Sequence, residues 1–151
     1  NFLAKKSIRI IYGGGKSGLM PKISKSSTKM CGEVIGIIPK ILSSKEKINF
    51  KITETIVVEN MSIRKKKLFN MGDAYLILPG GSGTIEEATE IISWKILGIH
   101  NKNIIIFNFN NFWNPLIKMY KQAKNKKFGN KNLQSITKHI NTLQEFKKLF
   151  P

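Results

Sequence analysis

AYLILPGGSGTIEE, residues 74–87, holds three kinds of local structure in a row. Residues 74–78 are a short, nearly all-apolar run, the strand type that a sheet covered on both faces requires. Residues 79–84, PGGSGT, are a turn, because proline and closely spaced glycines end the run and free the backbone. From Thr84 onward the pattern turns helical and carries three acids, Glu86, Glu87 and Glu90. A strand that hands over to a helix through a glycine turn is the repeating unit of an open α/β sheet.

The same alternation runs outward in both directions. Apolar, β-branched runs stand at 8–12, 34–38, 55–58, 103–108 and, more weakly, 135–140. Helix-like segments separate them at 18–31, 61–71, 84–98, 112–127 and 142–150, the last opening with Thr142 and Glu145 at capping-box spacing. The expected fold is a Rossmann-like, doubly wound parallel sheet with helices on both faces, in one domain over 1–151. Its longest loop is expected at 43–50. In such sheets ligands bind at the carboxyl ends of the strands.

Bulk composition narrows the class. No apolar run approaches the length of about 18 residues that a membrane span needs. The N-terminal stretch NFLAKKSIRI has no signal-peptide pattern, and Cys31 is the single cysteine, so a reducing, cytoplasmic setting is expected. The formal charge of +17 comes from 24 Lys and only two Arg, spread along the chain. A dedicated nucleic-acid reader uses more arginine and interleaves aromatics. Abundant Lys, Asn and Ile fit compositional drift better, so a nucleic-acid partner is not favoured.

Two glycine loops follow strands. In YGGGKSG (12–18), Gly13, Gly15 and Gly18 match a dinucleotide-binding pattern, but the acid expected at the end of the next strand is missing there, where Pro39 and Lys40 stand. Gly15, Lys16 and Ser17 resemble the tail of a P-loop, yet the first glycine of that motif would fall at Ile10. A tight strand-to-helix turn competes with both readings.

PGGSGT says more. Its glycines let backbone approach a ligand, and the N–H groups that open the next helix point at whatever lies there. That makes an anion seat, to which Thr84 adds a hydroxyl and Arg64 and Lys65 could add charge. For Glu86 and Glu90 the reading is a first-turn carboxylate favoured by the helix dipole, worth about 0.3–1 kcal/mol each, or plain solvent exposure. Glu87 lies on another side of the helix. A carboxylate beside a phosphate seat makes sense when a cation develops between them, and a ribose oxocarbenium ion is such a species.

These stretches resemble one family. PGGSGTIEE (79–87) is similar to the PGGxGTxxE motif of the LOG (Lonely Guy) proteins, which also pass under the name lysine decarboxylase. MSIRKKK (61–67), YGGGKSGLM (12–20), GEVIGIIPK (32–40) and WKILGIHNK (94–102) resemble further family segments in the same order. The resemblance implies a phosphoribohydrolase that cleaves the N-glycosidic bond of nucleoside 5′-monophosphates, cytokinin ribotides among them, without metal or cofactor. It implies a homodimer or larger assembly.

By position, Arg64 and Glu87 match the catalytic pair, Lys65 a substrate contact, and Gly81, Gly83 and Thr84 the nucleotide loop. Glu46 and Ser93 fall where the family also touches substrate. Gly80, Ser82, Ile85 and Glu86, with Gly14 and Gly15 of the first loop, complete the expected substrate-binding set. His100 and His139 are isolated and read as structural.

Three departures stand out. The family's opening strand–helix unit, roughly 30–40 residues, is expected to be missing before YGGG. Pro21 stands where glycine is common, and Ser62 replaces a common histidine. Two rival readings follow: a non-catalytic nucleotide-binding relative, and a Rossmann-like protein that binds single-stranded nucleic acid.

Overall fold

The computed structural model describes residues 1–15, 17–43, 51–129 and 133–150. The chain forms two compact units, Asn1–Gly72 and Asp73–Pro151.

The first unit runs α1 (Phe2–Lys5), β1 (Ile10–Tyr12), α2 (Met20–Thr28), β2 (Val34–Pro39), α3 (Lys40–Ser43), β3 (Glu54–Val58) and α4 (Met61–Met71). Its strands form one parallel sheet in the order β1-β2-β3, with Ile10 opposite Val34 and Ile35 opposite Glu54. All six residues of β2 are buried, as a central parallel strand must be. Ile35 and Ile37 pack with Val58, Leu68 and Met71, while Val34 and Ile38, which alternate to the other face, are fully buried as well.

Pro21 sits in the first turn of α2, where a proline costs no helical hydrogen bond. Cys31, in the turn after α2, is exposed and holds a left-handed φ of 55°. The short helix α1 was not foreseen, and β1 begins at Ile10 rather than at residue 8.

The second unit runs β4 (Ala74–Ile77), α5 (Ser82–Ile96), β5 (Asn103–Phe107), a 3-10 turn (Phe109–Asn111), α6 (Asn114–Asn125), α7 (Leu133–Ile136), β6 (Lys138–Ile140) and α8 (Leu143–Lys147). Its sheet is again parallel, in the order β4-β5-β6. One face of β5 gives Ile104 and Ile106 to a core with Ile77, Ala88, Ile92, Trp113 and Leu133. At the end of β5, Asn108 accepts from the Trp113 N–H at 2.7 Å and donates from Nδ2 to Asn114 at 2.9 Å, which ties the strand to the start of α6.

The strand–helix alternation is as expected, and among the described residues the strands fall into two three-stranded sheets. The strand expected over 135–140 is shorter: Ser135 and Ile136 belong to α7. The cause is Thr137, whose N–H and hydroxyl both donate to the Leu133 carbonyl, at 2.9 and 2.7 Å, and close a helical turn there. The capping box forms at α8. Thr142 accepts from the Glu145 N–H at 3.1 Å, and Glu145 reaches back to the Asn141 N–H at 2.7 Å.

Candidate active site

In the second unit the seat begins where β4 ends. Gly81 caps α5 with an extended backbone and has no side chain to satisfy the first amides, so the N–H groups that open the helix remain available for an anion. Gly80 is needed for space. A Cβ there would meet Thr84, 2.7 Å from its Cβ and 3.0 Å from its Cγ2, so the loop folds back directly on the first helical turn. Cβ atoms at Gly81 and Gly83 would meet nothing within 4 Å, so these two glycines leave the approach to the amides open.

α5 starts at Ser82, not at residue 84. The first turn is therefore Ser82, Gly83 and Thr84 and holds no acid. This corrects the first-turn reading of Glu86 and Glu90. Both lie beyond the turn in which the dipole acts, and Glu86 is simply exposed. Ile85 is also exposed, at 42 %. Glu87 is half-buried and stands about 7 Å along the helix axis from Ser82. Ser93 is exposed, seven residues and about 10 Å past Glu86 on the same side of the helix, so α5 does not bring it to the glycine turn.

In the first unit the loop after β1 carries Gly14 and Gly15, both buried, with Gly14 at a left-handed φ of 75°. A Cβ on Gly14 would lie 3.5 Å from the Gly36 carbonyl carbon and the Ile37 nitrogen, so the loop rests on the backbone of β2.

Arg64 comes from α4. Asn60 starts that helix by accepting from the Ile63 N–H at 2.9 Å, and its carbonyl takes the Arg64 N–H at 3.1 Å. The Arg64 side chain is buried, at 9 % exposure, and its Nε donates to the Ile37 carbonyl at 3.1 Å. A buried guanidinium needs such acceptors, because it cannot shed its proton. Its Nη2 lies against Gly13, a contact the sequence reading missed. The first glycine of YGGG was its only sequence signal. Lys65, next on α4, is half-buried. Glu46 lies outside the described residues.

The two histidines make contacts within the second unit. His100 is buried, with Nε2 2.9 Å from the Ile91 carbonyl and Nδ1 accepting the Lys102 N–H at 3.1 Å, which makes Nε2 the donor. Tyr75 packs edge-on against its ring at 5.8 Å, and burial pushes that phenol up to about 12. His139 lies 2.8 Å from the Thr137 hydroxyl, and burial holds its imidazole below the usual value. Among the described residues no three His, Cys, Asp or Glu side chains form a group that could hold a metal ion.

Two parallel α/β sheets, each with a glycine loop at the carboxyl end of a strand and one of those loops leading straight into a helix, define a protein of the Rossmann-like class. Solved structures agree on the fold. The molybdenum cofactor binding protein of Rippkaea orientalis superposes with a TM-score of 0.67 at 17% identity, over 97% of this chain and 78% of that one. The molybdenum cofactor carrier protein of Chlamydomonas reinhardtii gives 0.62 at 15% identity, over 98% and 81%. At these identities the likeness is one of fold.

A family model described as "Possible lysine decarboxylase" matches residues 20–149. The cytokinin riboside 5′-monophosphate phosphoribohydrolase of Rhodococcoides fascians is 36% identical over 122 residues, 80% of this chain and 62% of that protein. One from Arabidopsis thaliana is 35% identical over 148 residues, 98% of this chain and 69% of its own length. The chain belongs to this family, the LOG family, and spans about two thirds of the length of these two relatives.

Proposed function

We propose that the protein is a nucleotide phosphoribohydrolase that hydrolyses the N-glycosidic bond of purine nucleoside 5′-monophosphates. Water adds across the bond, the free base leaves with a proton, and ribose 5-phosphate keeps the hydroxyl at C1′. The observation that carries this is α5 itself, an open glycine anion seat at its start and a half-buried Glu87 little more than a turn further on. Relatives at 35–36% identity named for this activity support the same reading.

The amides opened by Gly80, Gly81, Ser82 and Gly83, with the Thr84 hydroxyl, hold the 5′-phosphate. The Glu87 carboxylate meets the positive charge that develops at C1′ as the bond to the base stretches. Arg64, fixed on the Ile37 carbonyl, orients the nucleotide, with Lys65 beside it supplying charge. Gly14, Gly15, Ile85, Glu86, Glu46 and Ser93 belong to the wider contact set on the family resemblance. The same resemblance supports a homodimer, and the single cysteine, Cys31, supports a cytoplasmic setting. No described helix is long and apolar enough to cross a membrane.

Purified protein incubated with AMP and with N6-isopentenyl AMP, with products separated by chromatography, tests the reading. Free base and ribose 5-phosphate are expected, and Glu87→Gln should lower kcat by roughly a hundredfold or more. The ratio of the two substrates decides whether the cytokinin ribotide named in the relatives is this chain's substrate too. A folded sample that releases no base from either nucleotide would rule the activity out and favour a non-catalytic relative.

A further inference from the structure

The first glycine of YGGG does not need to be glycine for its backbone. Gly14 and Gly18 hold left-handed φ values of 75° and 61°, whereas Gly13 lies outside that region. What excludes a side chain at Gly13 is Arg64. A Cβ there would run into Nη2, with Cζ at 3.4 Å and the Met20 sulfur in ordinary contact at 3.7 Å. A second glycine acts from the other side. A Cβ on Gly36 would press to 2.9 Å from the Gly14 Cα, so Gly36 is what lets the loop settle on β2. The two peptides that flank Ile37 serve one partner each: Ile37 offers its carbonyl to Arg64 Nε at 3.1 Å, and the peptide between Gly36 and Ile37 faces Gly14.

We propose that Gly13 is a positioning residue for Arg64: its missing side chain is what allows the guanidinium to lie against the β1–α2 loop while Nε stays on the Ile37 carbonyl. The functional half of this rests on the role given to Arg64 above. The geometric half stands by itself, and the two are tested separately.

The chain has only two arginines, Arg9 and Arg64. Arg9 is half exposed, paired with Glu33 at 2.8 Å, so it serves as an internal reference for phenylglyoxal modification read by mass spectrometry. Arg64 should label much more slowly than Arg9 in the native chain. Gly13→Ala should raise the Arg64-to-Arg9 rate ratio several-fold. Gly18→Ala, strained at φ 61° but with open space around its Cβ, should leave that ratio unchanged. An unchanged ratio in Gly13→Ala, or an equal rise in Gly18→Ala, would overturn the proposal.

Should Gly13→Ala fail to fold, Gly13→Ala with Arg64→Ala must fold as well as Arg64→Ala alone, and a double variant that stays unfolded counts against the proposal. For base release, Gly13→Ala should lower kcat by roughly tenfold to a hundredfold, the scale of a misplaced catalytic group, with KM moving less. The loss should vanish in an Arg64→Ala background; additive losses in the double variant would overturn the positioning role. If the unaltered protein releases no base, the hydrolase reading fails while the labelling ratio still decides the geometry.

Discussion

Gly80 and Gly81 are neighbours in the same turn, and substituting each by alanine should have unlike effects. A Cβ on Gly80 falls 2.7 Å from the Thr84 Cβ and 3.0 Å from its Cγ2. Rotating the threonine does not help, because its Cβ does not move with χ1. Reaching an ordinary carbon contact of about 3.7 Å needs a displacement of about 1 Å between the loop and the first turn of α5. Forced overpacking of this kind costs about 1–3 kcal/mol.

On Gly81 a Cβ meets nothing within 4 Å, and φ is −84°, which alanine adopts freely. There the stiffer unfolded chain contributes about 0.4–1 kcal/mol and the poorer alanine cap removes about 0.5–1 kcal/mol, which leaves a net change within about 0.5 kcal/mol of zero. Urea unfolding followed by far-UV circular dichroism reads both variants. With a slope of about 1–3 kcal/mol per molar urea, a loss of 2 kcal/mol lowers the midpoint by roughly 1 M in Gly80→Ala, while Gly81→Ala stays near the parent. Equal shifts in the two variants, or no shift in Gly80→Ala, would refute the packing argument for the loop.

Further outcomes follow from single contacts. Asn60→Ala should cost about 1 kcal/mol, since it removes the cap of the helix that carries Arg64, and Asn60→Asp should retain it; an unchanged urea midpoint in the alanine variant speaks against the cap. Ile92 is fully buried in the second core, so Ile92→Ala should cost about 2–5 kcal/mol and Ile92→Val about 0.5–1.5 kcal/mol, measured the same way. Burial lowers the folded-state value of His139 from 6.5, so the unfolded chain takes up the proton first as pH falls. The stability tied to it is present above about 6.5 and is lost as pH falls through the folded value. His139→Gln should therefore flatten the drop in urea midpoint between about pH 8 and about pH 5, and an equal drop in both proteins would assign it elsewhere.

Much of the fold was legible because parallel strands buried on both faces leave unbroken apolar runs. VIGIIP of β2 and NIIIF of β5 are such runs, and both stand where the pattern put them. The start of α5 was misjudged by two residues because Ser82 and Gly83 suit a loop as well as a first helical turn. The front of the last strand was lost to Thr137, whose two bonds to one carbonyl are invisible in a pattern of apolar residues. In the site, the glycine turn and its helix were readable from local chemistry. The seat of Arg64 was not, because its acceptor is a backbone carbonyl, which carries no residue identity, and its neighbour is a glycine distant in sequence. The partition of the strands between two sheets depends on pairing, which periodicity along the chain does not encode.

The two compact units differ in their optical and chemical handles. Both tryptophans, Trp94 on α5 and Trp113 in the core, belong to the second unit, while the single thiol, Cys31, is exposed in the first. Tryptophan emission, excited selectively over tyrosine, therefore follows the second unit alone, and a dye on Cys31 follows the first. The native chain thus carries a separate reporter for each unit: tryptophan for the one with the glycine turn and Glu87, the labelled thiol for the one with Arg64.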